Sequence, residues 1–255
     1  MPSALYDMAR LSLATTFESM SREMRELREL FDLLQECTGA MGFKYFALTH
    51  HVDFALSPAP GIRLHNYPSE WQEWFDERSL GRFDPIHRAS HVTSRGFTWA
   101  QVPNLIQLTN GDREVLSQAR QIGIGDGFTV PANVPGEYNG SCSFAVGAND
   151  DFPDRHVMVA QLVGGLAFET ARRLSQPRLR SRQVQPMTDR QRDCVLWAAR
   201  GKTDWEIARI LGVSHETVIQ HLKHARERYG VQKRAHLAVM ALFDGSICFS
   251  DIFLQ

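Results

Sequence analysis

Residues 205–230, WEIARILGVSHETVIQHLKHARERYG, restrict the possible folds of this chain more than any other stretch. Apolar residues recur at helical spacing on both sides of Gly212. Ser214 lies two residues after that glycine, and serine is a preferred N-cap of helices. The pattern therefore predicts two short helices joined by a turn of three to four residues, which is a helix-turn-helix arrangement.

The same kind of local signal extends over the whole C-terminal part of the chain. Thr188, Asp204 and Ser214 are expected to cap three successive helices, and the glycines at 201, 212 and 230 to end them. A fourth helix is expected over residues 233–243. Because no strand pattern occurs after residue 186, we expect a four-helix, all-α domain there.

The outward face of the predicted third helix carries groups suited to DNA. A recognition helix presents exposed side chains to base edges, while nearby basic and hydroxyl groups contact phosphates. Residues 176–255 contain 13 Lys and Arg against 8 Asp and Glu, whereas the other residues contain 15 against 21. This distribution favours a polyanionic partner for the C-terminal part, although a plain helical bundle with a solvated charged face is the alternative. The candidate DNA-binding residues are Lys202, Thr203, Ser214, Glu216, Thr217, Ile219, Gln220, Lys223, Arg226, Lys233 and Arg234.

A polar stretch rich in Pro and Arg, SQPRLRSRQVQP at 175–186, predicts an exposed linker. We therefore divide the chain into a domain at 1–174, a linker at 175–186 and a domain at 187–255.

Residues 1–174 alternate between helical and strand patterns. Helices are expected over 18–37, from Pro68 through Phe75, over 111–122, and from Asp154 onward. Strands are expected over 45–53, 61–66, 127–133 and 141–147, the last two joined by the turn NVPGEYNG. The chain is thus predicted to be α+β, with an α/β/α sandwich around a mostly antiparallel sheet followed by the all-α domain.

Residues 187–239 are similar to the LuxR-type helix-turn-helix, with matching spacing over more than 45 residues. The match departs at Gln191, where the family usually has glutamate. The resemblance implies that the third helix reads bases through Glu216, Ile219, Gln220 and Lys223, with Ile219 limited to apolar contact such as a thymine methyl. It also implies double-stranded promoter DNA and RNA polymerase as partners. The matching positions are Thr188, Arg190, Gly201, Lys202, Thr203, Glu206, Ile207, Ala208, Leu211, Gly212, Val213, Ser214, Thr217, Val218, His221, Val231 and Arg234.

Upstream, NYPSEWQEWFDERSLGRFDPIHRASHVTSRGFTW at 66–99 resembles the acyl-homoserine-lactone-binding domain of quorum-sensing regulators. The resemblance covers roughly Phe31–Leu174. It implies that Trp71 donates to the lactone carbonyl, Asp84 accepts from the amide N–H and Tyr67 donates to the acyl carbonyl. It further implies a supporting role for Ser143, walls formed by Phe75 and Trp99, and space kept by Gly127. Phe75 replaces the tyrosine common in the family. The residues that carry the match are Tyr67, Trp71, Asp84, Pro85, Trp99 and Gly127.

An acyl-homoserine lactone is a reasonable match in chemical terms, because each polar group of a buried ligand needs a hydrogen-bond partner. The same residues could instead be simple core, in which case the chain is a ligand-independent regulator whose first domain only dimerises. An enzyme is not expected, since no nucleophile elbow or catalytic carboxylate pair occurs. His50 and His51 point to opposite faces of a strand, so neither a metal site nor a cofactor is predicted.

We expect a homodimer, with the helix near 154–174 as a candidate surface, acting in the bacterial cytoplasm and associated with the nucleoid when bound to DNA. We expect no secretory signal, and no apolar run reaches the length that a membrane-spanning helix needs. The four cysteines are expected to be reduced core thiols. The apolar tail ALFDGSICFSDIFLQ is expected to pack either on the dimer or on the first domain.

Overall fold

The structure is a computed structural model that describes residues 2–54, 61–179 and 186–253, without the side chains of 2–11 and 176–179. It divides into two compact units. The first comprises residues 1–133 and 138–181, and the second comprises 134–137 and 182–255.

The first unit is built on a five-stranded sheet in the order β2-β1-β5-β4-β3. Every neighbouring pair is antiparallel, which confirms the α+β fold expected from the sequence. The two N-terminal strands are shorter than expected, because the chain leaves the sheet after His50 and the partner strand β2 is only three residues long. The strands are β1 (Tyr45–His50), β2 (Arg63–His65), β3 (Phe97–Thr98), β4 (Ile124–Ala132) and β5 (Gly140–Gly147).

One face of the sheet is covered by α2 (Leu27–Ala40) and by the long last helix of this unit, and α1 (Pro2–Glu23) packs against both of these helices. The single helix expected over 18–37 is wrong, since the chain breaks at Met24–Glu26. Glu29 accepts hydrogen bonds from the backbone N–H groups of Arg25 and Glu26 at 2.8 and 3.0 Å, and thereby caps the second helix. Strand alternation directs Phe46 and Phe144 into the core that these helices enclose.

The long helix begins with a 3-10 turn at Asp154–His156 and continues through Leu179. The helix therefore includes the first five residues, 175–179, of the segment expected to be an exposed linker. Arg173 holds this end of the helix in place, because its guanidinium donates to the carbonyls of Ser21 and Met24 at 2.6 and 3.0 Å. Packing against another helix thus outweighs the local Pro and Arg signal. The rest of the predicted linker, at 180–185, lies outside the described residues.

The opposite face of the sheet is covered by four shorter helices, which leave a cavity above the middle strands. We number them α3 (Ser69–Glu77), α4 (Pro85–Ser90), α5 (Val102–Leu105) and α6 (Asn110–Gln121), and the long helix Val157–Leu179 becomes α7. With helices on both faces, the unit is the expected α/β/α sandwich.

The second unit is helical throughout its described elements: α8 (Asp189–Ala199), α9 (Asp204–Leu211), α10 (His215–Tyr229), α11 (Arg234–Phe243) and α12 (Phe249–Phe253). The expected count of four is wrong because α12 was not predicted. The expected cap of α9 is also wrong: the Thr203 hydroxyl accepts from Glu206 N–H, and Asp204 is already helical. Gly212 and Gly230 end α9 and α10 at φ 66° and 63°, in the left-handed region that favours glycine.

The described part of the apolar tail, residues 241–253, packs within this second unit, and its expected packing on a dimer stays a prediction. Ile247 is almost fully buried in the core of the unit, and Arg200 donates to the carbonyl of Asp251 at 2.8 Å. Three phenylalanines of the described tail remain outside this core, since Phe243, Phe249 and Phe253 are 43%, 66% and 77% exposed. Over the described ranges, no helix is both long and apolar enough to cross a bilayer.

Candidate functional site

A largely apolar cavity lies between the sheet and helices α3, α4 and α6. It has about 80 Å³ of room for the centres of water molecules, compared with roughly 10–15 Å³ for one water. Six of the seven predicted ligand-binding residues line it: Tyr67, Trp71, Phe75, Asp84, Trp99 and Ser143.

Two hydrogen-bond donors of the cavity wall have no acceptor among the described residues. Trp71, on the first turn of α3, is 8% exposed and lines the cavity, and no described residue accepts a hydrogen bond from its Nε1. The Tyr67 hydroxyl also lacks one. Burial and the nearby Asp84 carboxylate raise the pKa of Tyr67, so its hydroxyl stays protonated and able to donate.

Asp84 is a helix cap and a cavity group at the same time. Its Oδ1 accepts from the backbone N–H groups of Ile86 and His87 at 2.7 and 3.0 Å, which fixes the start of α4. Both of these bonds fall on the same oxygen. Within the described part of the chain Oδ2 has no donor, so this carboxylate, only 6% exposed, can still accept a hydrogen bond from a ligand.

Trp99, by contrast, is satisfied by the protein. Its Nε1 donates to Thr129 Oγ1 at 2.9 Å, and that hydroxyl lies 2.8 Å from Ser143 Oγ. This chain of bonds fixes the indole as a wall of the cavity and orients Ser143. Gly127 does not line the cavity, which differs from the space-keeping role expected for it. A Cβ built on Gly127 would lie 2.5 Å from Trp99 Cε2, so the glycine makes room for the indole.

Phe75 forms an apolar wall, with its ring centroid 5.8 Å from Trp71 and 5.9 Å from His87. The sequence interpretation missed the polar residues on the strands beneath the cavity, namely Arg63, His65, Thr49 and Thr129. Arg63 and Asp76 form a two-bond ion pair at 2.9 and 3.0 Å. The alternation of side chains along β2 was the available signal, because Arg63, His65 and Tyr67 fall on one face.

Three histidines meet beside the cavity. His51 Nδ1 lies 2.8 Å from His91 Nε2, His51 Nε2 lies 2.9 Å from Ser141 Oγ, and the His87 ring stacks on His51 at 3.9 Å. Burial, together with the neighbouring histidines, lowers the pKa of His51 well below its usual range, and that of His91 is lowered for the same reasons. Both rings are therefore neutral near pH 7. No group of metal-ligating side chains suited to a metal ion occurs in the described ranges.

The cysteines differ in part from expectation. Cys37, Cys142 and Cys194 are buried thiols, and burial raises the pKa of Cys37 and Cys194 to about 11. Cys248 is exposed, so the expectation of four core thiols is wrong for this residue. It lies between α11 and α12, where the chain turns at the surface.

In the second unit, the exposed stripe of α10 contains the four residues predicted to face DNA bases. Glu216, Ile219, Gln220 and Lys223 are all exposed and spaced i, i+3, i+4 and i+7, so they form one face. Val218, Leu222 and Ala225 are buried on the other face. Ser214 Oγ accepts from Thr217 N–H at 3.1 Å, which fixes the first turn of the helix.

The residues predicted around this stripe are partly engaged inside the protein. Arg234 donates to Asp204 and to the carbonyl of Lys202, and Arg226 donates to the carbonyl of Gln232 at 3.3 Å. Lys202 and Lys223 lie 3.8 Å from glutamates one turn away in sequence, and such exposed pairs are weak. Lys233 is exposed before α11. Missed by the sequence interpretation was Trp205, 68% exposed and stacked on His215 with a centroid separation of 4.1 Å beside the start of α10.

Gln191, the position at which the helix-turn-helix resemblance departs from the usual glutamate, caps the start of α8. Gln191 Oε1 accepts from Thr188 N–H at 3.1 Å, and Thr188 Oγ1 accepts from Gln191 N–H at 3.3 Å. The amide thus completes a capping box at the start of α8 as a carboxylate would.

An α/β/α unit with a largely apolar cavity that also carries polar groups, in the same chain as a helix-turn-helix unit, defines a two-domain transcriptional regulator. Residues 26–171 match the family model described as an autoinducer binding domain, and residues 185–241 match that of bacterial regulatory proteins of the luxR family. The chain belongs to the LuxR family of quorum-sensing transcriptional regulators.

Similar proteins include two activators. The chain is 26% identical to the transcriptional activator protein BjaR1 of Bradyrhizobium diazoefficiens, over 86% of this chain and 89% of that protein. It is 25% identical to the transcriptional activator protein LuxR of Aliivibrio fischeri, over 88% and 90%. The fold resembles that of Escherichia coli SdiA, with a TM-score of 0.71, 19% identity, and coverage of 96% and 99%. It also resembles SdiA in complex with octanoyl-rac-glycerol, with a TM-score of 0.69, 20% identity, and coverage of 94% and 95%.

Proposed function

We propose that this chain binds an N-acyl-homoserine lactone in the cavity of its first unit and promoter DNA through α10, as a homodimer in the bacterial cytoplasm. The observation that carries the proposal is the convergence of three cavity groups, Trp71 Nε1, the Tyr67 hydroxyl and Asp84 Oδ2, that lack partners among the described residues. Two are donors and one is an acceptor. A lactone carbonyl, an acyl carbonyl and an amide N–H complement them group for group.

In this arrangement Trp71 donates to the lactone carbonyl, Tyr67 donates to the acyl carbonyl, and Asp84 accepts from the amide N–H. Ser143, oriented by Thr129, supports the bound ligand from the sheet. Phe75 and Trp99 supply apolar contact. Because the three groups belong to a largely apolar cavity wall, a bound ligand that left any of them unpaired would lose about 1–3 kcal/mol, and a lactone that pairs all three avoids this cost.

Ligand binding stabilises the first unit, since an empty apolar cavity is costly and a bound ligand adds its binding free energy to the folded state. We assign dimerisation to α7, where Met158 and Leu162 are 69% and 44% exposed. A dimer then presents two copies of α10 to half-sites about one DNA turn apart, and the bound regulator contacts RNA polymerase.

The ligand assignment is tested by calorimetric unfolding of the full chain with N-acyl-homoserine lactones of four to twelve carbons, and with octanoyl-rac-glycerol. A ligand present at 100 times its Kd should stabilise the chain by about 2.7 kcal/mol. Trp71→Phe should weaken lactone binding by about 5- to 100-fold, because it removes one donor and retains the aromatic wall. No shift with any lactone would favour a ligand-independent regulator, and a shift with octanoyl-rac-glycerol alone would replace the lactone by an acylglycerol.

The DNA assignment is tested by titrating a duplex that the wild-type chain selects from a random library. Lys223→Ala should weaken binding by about 1–3 kcal/mol if Lys223 contacts a base edge. Arg28→Ala removes the same charge from α2 of the first unit, where the side chain is 77% exposed, and serves as the matched control. Equal losses from both substitutions would exclude α10 as the specific contact.

A further inference from the structure

His65 is a half-buried cavity residue to which the proposed lactone pose gives no role. Its ring lies in the cavity wall, 6.0 Å from the Tyr67 ring between centroids. Nδ1 is buried, and no described residue bonds to either ring nitrogen. A histidine ring offers one donor and one acceptor when neutral, and leaving them unmet in an apolar wall is costly.

The register of the sheet shows what lies beside this ring. His65 pairs with Ala47 on β1, and Ala47 pairs with Ser143 on β5, so the three form one row across the cavity floor. Ala47 is the small residue in the middle. The row spans two strand spacings, or about 9–10 Å, which leaves a shallow channel over Ala47 with a polar group at each side.

The two ends of the row differ in how they are satisfied. Ser143 is tied to Thr129 at 2.8 Å, and through it to the indole of Trp99. Arg63 is the only charged residue on β2 beside His65, and its guanidinium forms an ion pair with Asp76. Burial is the main cause that lowers the pKa of His65, followed by the Arg63 charge, so the ring is neutral at pH 7.

We propose that the acyl chain of the ligand carries an oxygen substituent, either a hydroxyl or a carbonyl group. This oxygen hydrogen-bonds to the His65 imidazole at the point where the acyl chain passes over Ala47. This inference rests on the proposed lactone function and specifies the ligand further. A hydroxyl group of the ligand can donate to the unprotonated nitrogen of the neutral imidazole or accept from its N–H, depending on the tautomer. A carbonyl group can accept from the imidazole N–H. An unsubstituted alkyl chain leaves the imidazole unpaired.

The experiment compares matched probes by isothermal titration of the full chain. These are N-octanoyl-, N-(3-oxooctanoyl)- and N-(3-hydroxyoctanoyl)-homoserine lactone, together with the N-(3-phenylpropanoyl) and N-[3-(4-hydroxyphenyl)propanoyl] lactones. The wild-type chain should prefer an oxygenated member over its parent by about 5- to 100-fold. His65→Phe should remove this preference while binding the unsubstituted parent at least as tightly, and His65→Gln should retain part of it.

The unsubstituted parent serves as the folding control, since a misfolded variant would lose both probes. Equal affinity of the wild-type chain for every oxygenated and parent pair would overturn the inference and leave lactone binding intact. Absence of binding by all five probes would instead contradict the proposed function. Ser143→Ala could instead remove the preference for oxygenated lactones while His65→Phe retains it. In that case the oxygen of the acyl chain bonds to Ser143 on β5, and the assignment to His65 is wrong.

Discussion

Gly127→Ala is the substitution for which the structure gives the clearest magnitude. The added Cβ would lie 2.5 and 2.7 Å from Trp99 Cε2 and Cζ2, and 2.8 Å from the carbonyl oxygen of Phe144. Each distance is well inside ordinary van der Waals contact. The Phe144 carbonyl is part of β5 and cannot move alone, so the clash has to be relieved on the side of the Trp99 indole. Optimal separations between carbon atoms are about 3.5–4.0 Å, and the indole therefore has to shift by roughly 1 Å.

Two costs follow from that shift. Overpacking of a well-packed interior costs about 1–3 kcal/mol. The 2.9 Å bond from Trp99 Nε1 to Thr129 Oγ1 is stretched beyond hydrogen-bonding distance, which costs about 1 kcal/mol more. The free energy of unfolding should therefore fall by about 2–4 kcal/mol. For a unit of this size each kcal/mol lowers Tm by about 2–4 °C.

The assay is calorimetric unfolding of the full chain, following the transition that a bound lactone shifts. Gly39→Ala is the matched control: this exposed glycine of α2 has nothing within 4 Å of its built Cβ, so alanine should stabilise the helix by about 0.4–1 kcal/mol. Combining Gly127→Ala with Trp99→Phe should cost less than the two changes added, by about 1–2 kcal/mol, because the smaller ring relieves the clash. A Gly127→Ala protein with wild-type Tm, or strict additivity, would refute this reasoning.

Two further predictions concern Asp84 and His51. Asp84→Ala should destabilise the first unit by about 0.5–2 kcal/mol, since Ile86 and His87 lose their cap. Asp84→Asn keeps an acceptor for the cap and should chiefly weaken lactone binding, as titration would reveal; unchanged affinity would remove Asp84 from its ligand role. The lowered pKa of His51 means that the unfolded chain binds the extra proton first, so stability is full above about pH 6.5 and falls below it by about 1.4 kcal/mol per pH unit. Denaturant unfolding between pH 5.5 and 7.5 should show this loss, and His51→Gln should reduce the slope without abolishing it, because the pKa values of His65 and His91 are lowered as well; an equal slope in both proteins would contradict the assignment.

The helix-turn-helix could be predicted nearly residue by residue because its boundaries are set locally. Ser214 and Gly212 act within one turn of chain, and such signals are visible in sequence. The cap of α9 was misplaced by one residue because Thr203 and Asp204 are both suitable N-cap residues. The tail helix escaped prediction since its position depends on contacts with α8, such as that between Arg200 and Asp251.

The errors in the first unit have a common cause, which is that tertiary contacts outweigh local patterns. Apolar spacing continues across Met24–Glu26, so periodicity could not reveal the break between α1 and α2. Arg173 stabilises α7 beyond the expected linker boundary through carbonyls about 150 residues away. The position of His65 in the cavity depends on strand pairing, and the register with Ala47 is not encoded within β2 itself.

The two tryptophans of the cavity separate recognition from packing. Trp99 donates to Thr129 inside the protein, so its indole N–H needs nothing from a ligand. Trp71 is more deeply buried than Trp99 and has no acceptor among the described residues, and the Tyr67 hydroxyl has none either. Three unmet polar groups, counting Asp84 Oδ2, would cost on the order of 3–9 kcal/mol if the cavity were only a core, which is comparable with the whole stability of a domain. A unit that folds with these groups in place therefore has to bind water or a ligand in the cavity. A ligand with one N–H donor and two carbonyls pairs all three groups and also fills the apolar part of the cavity, where water is unfavourable.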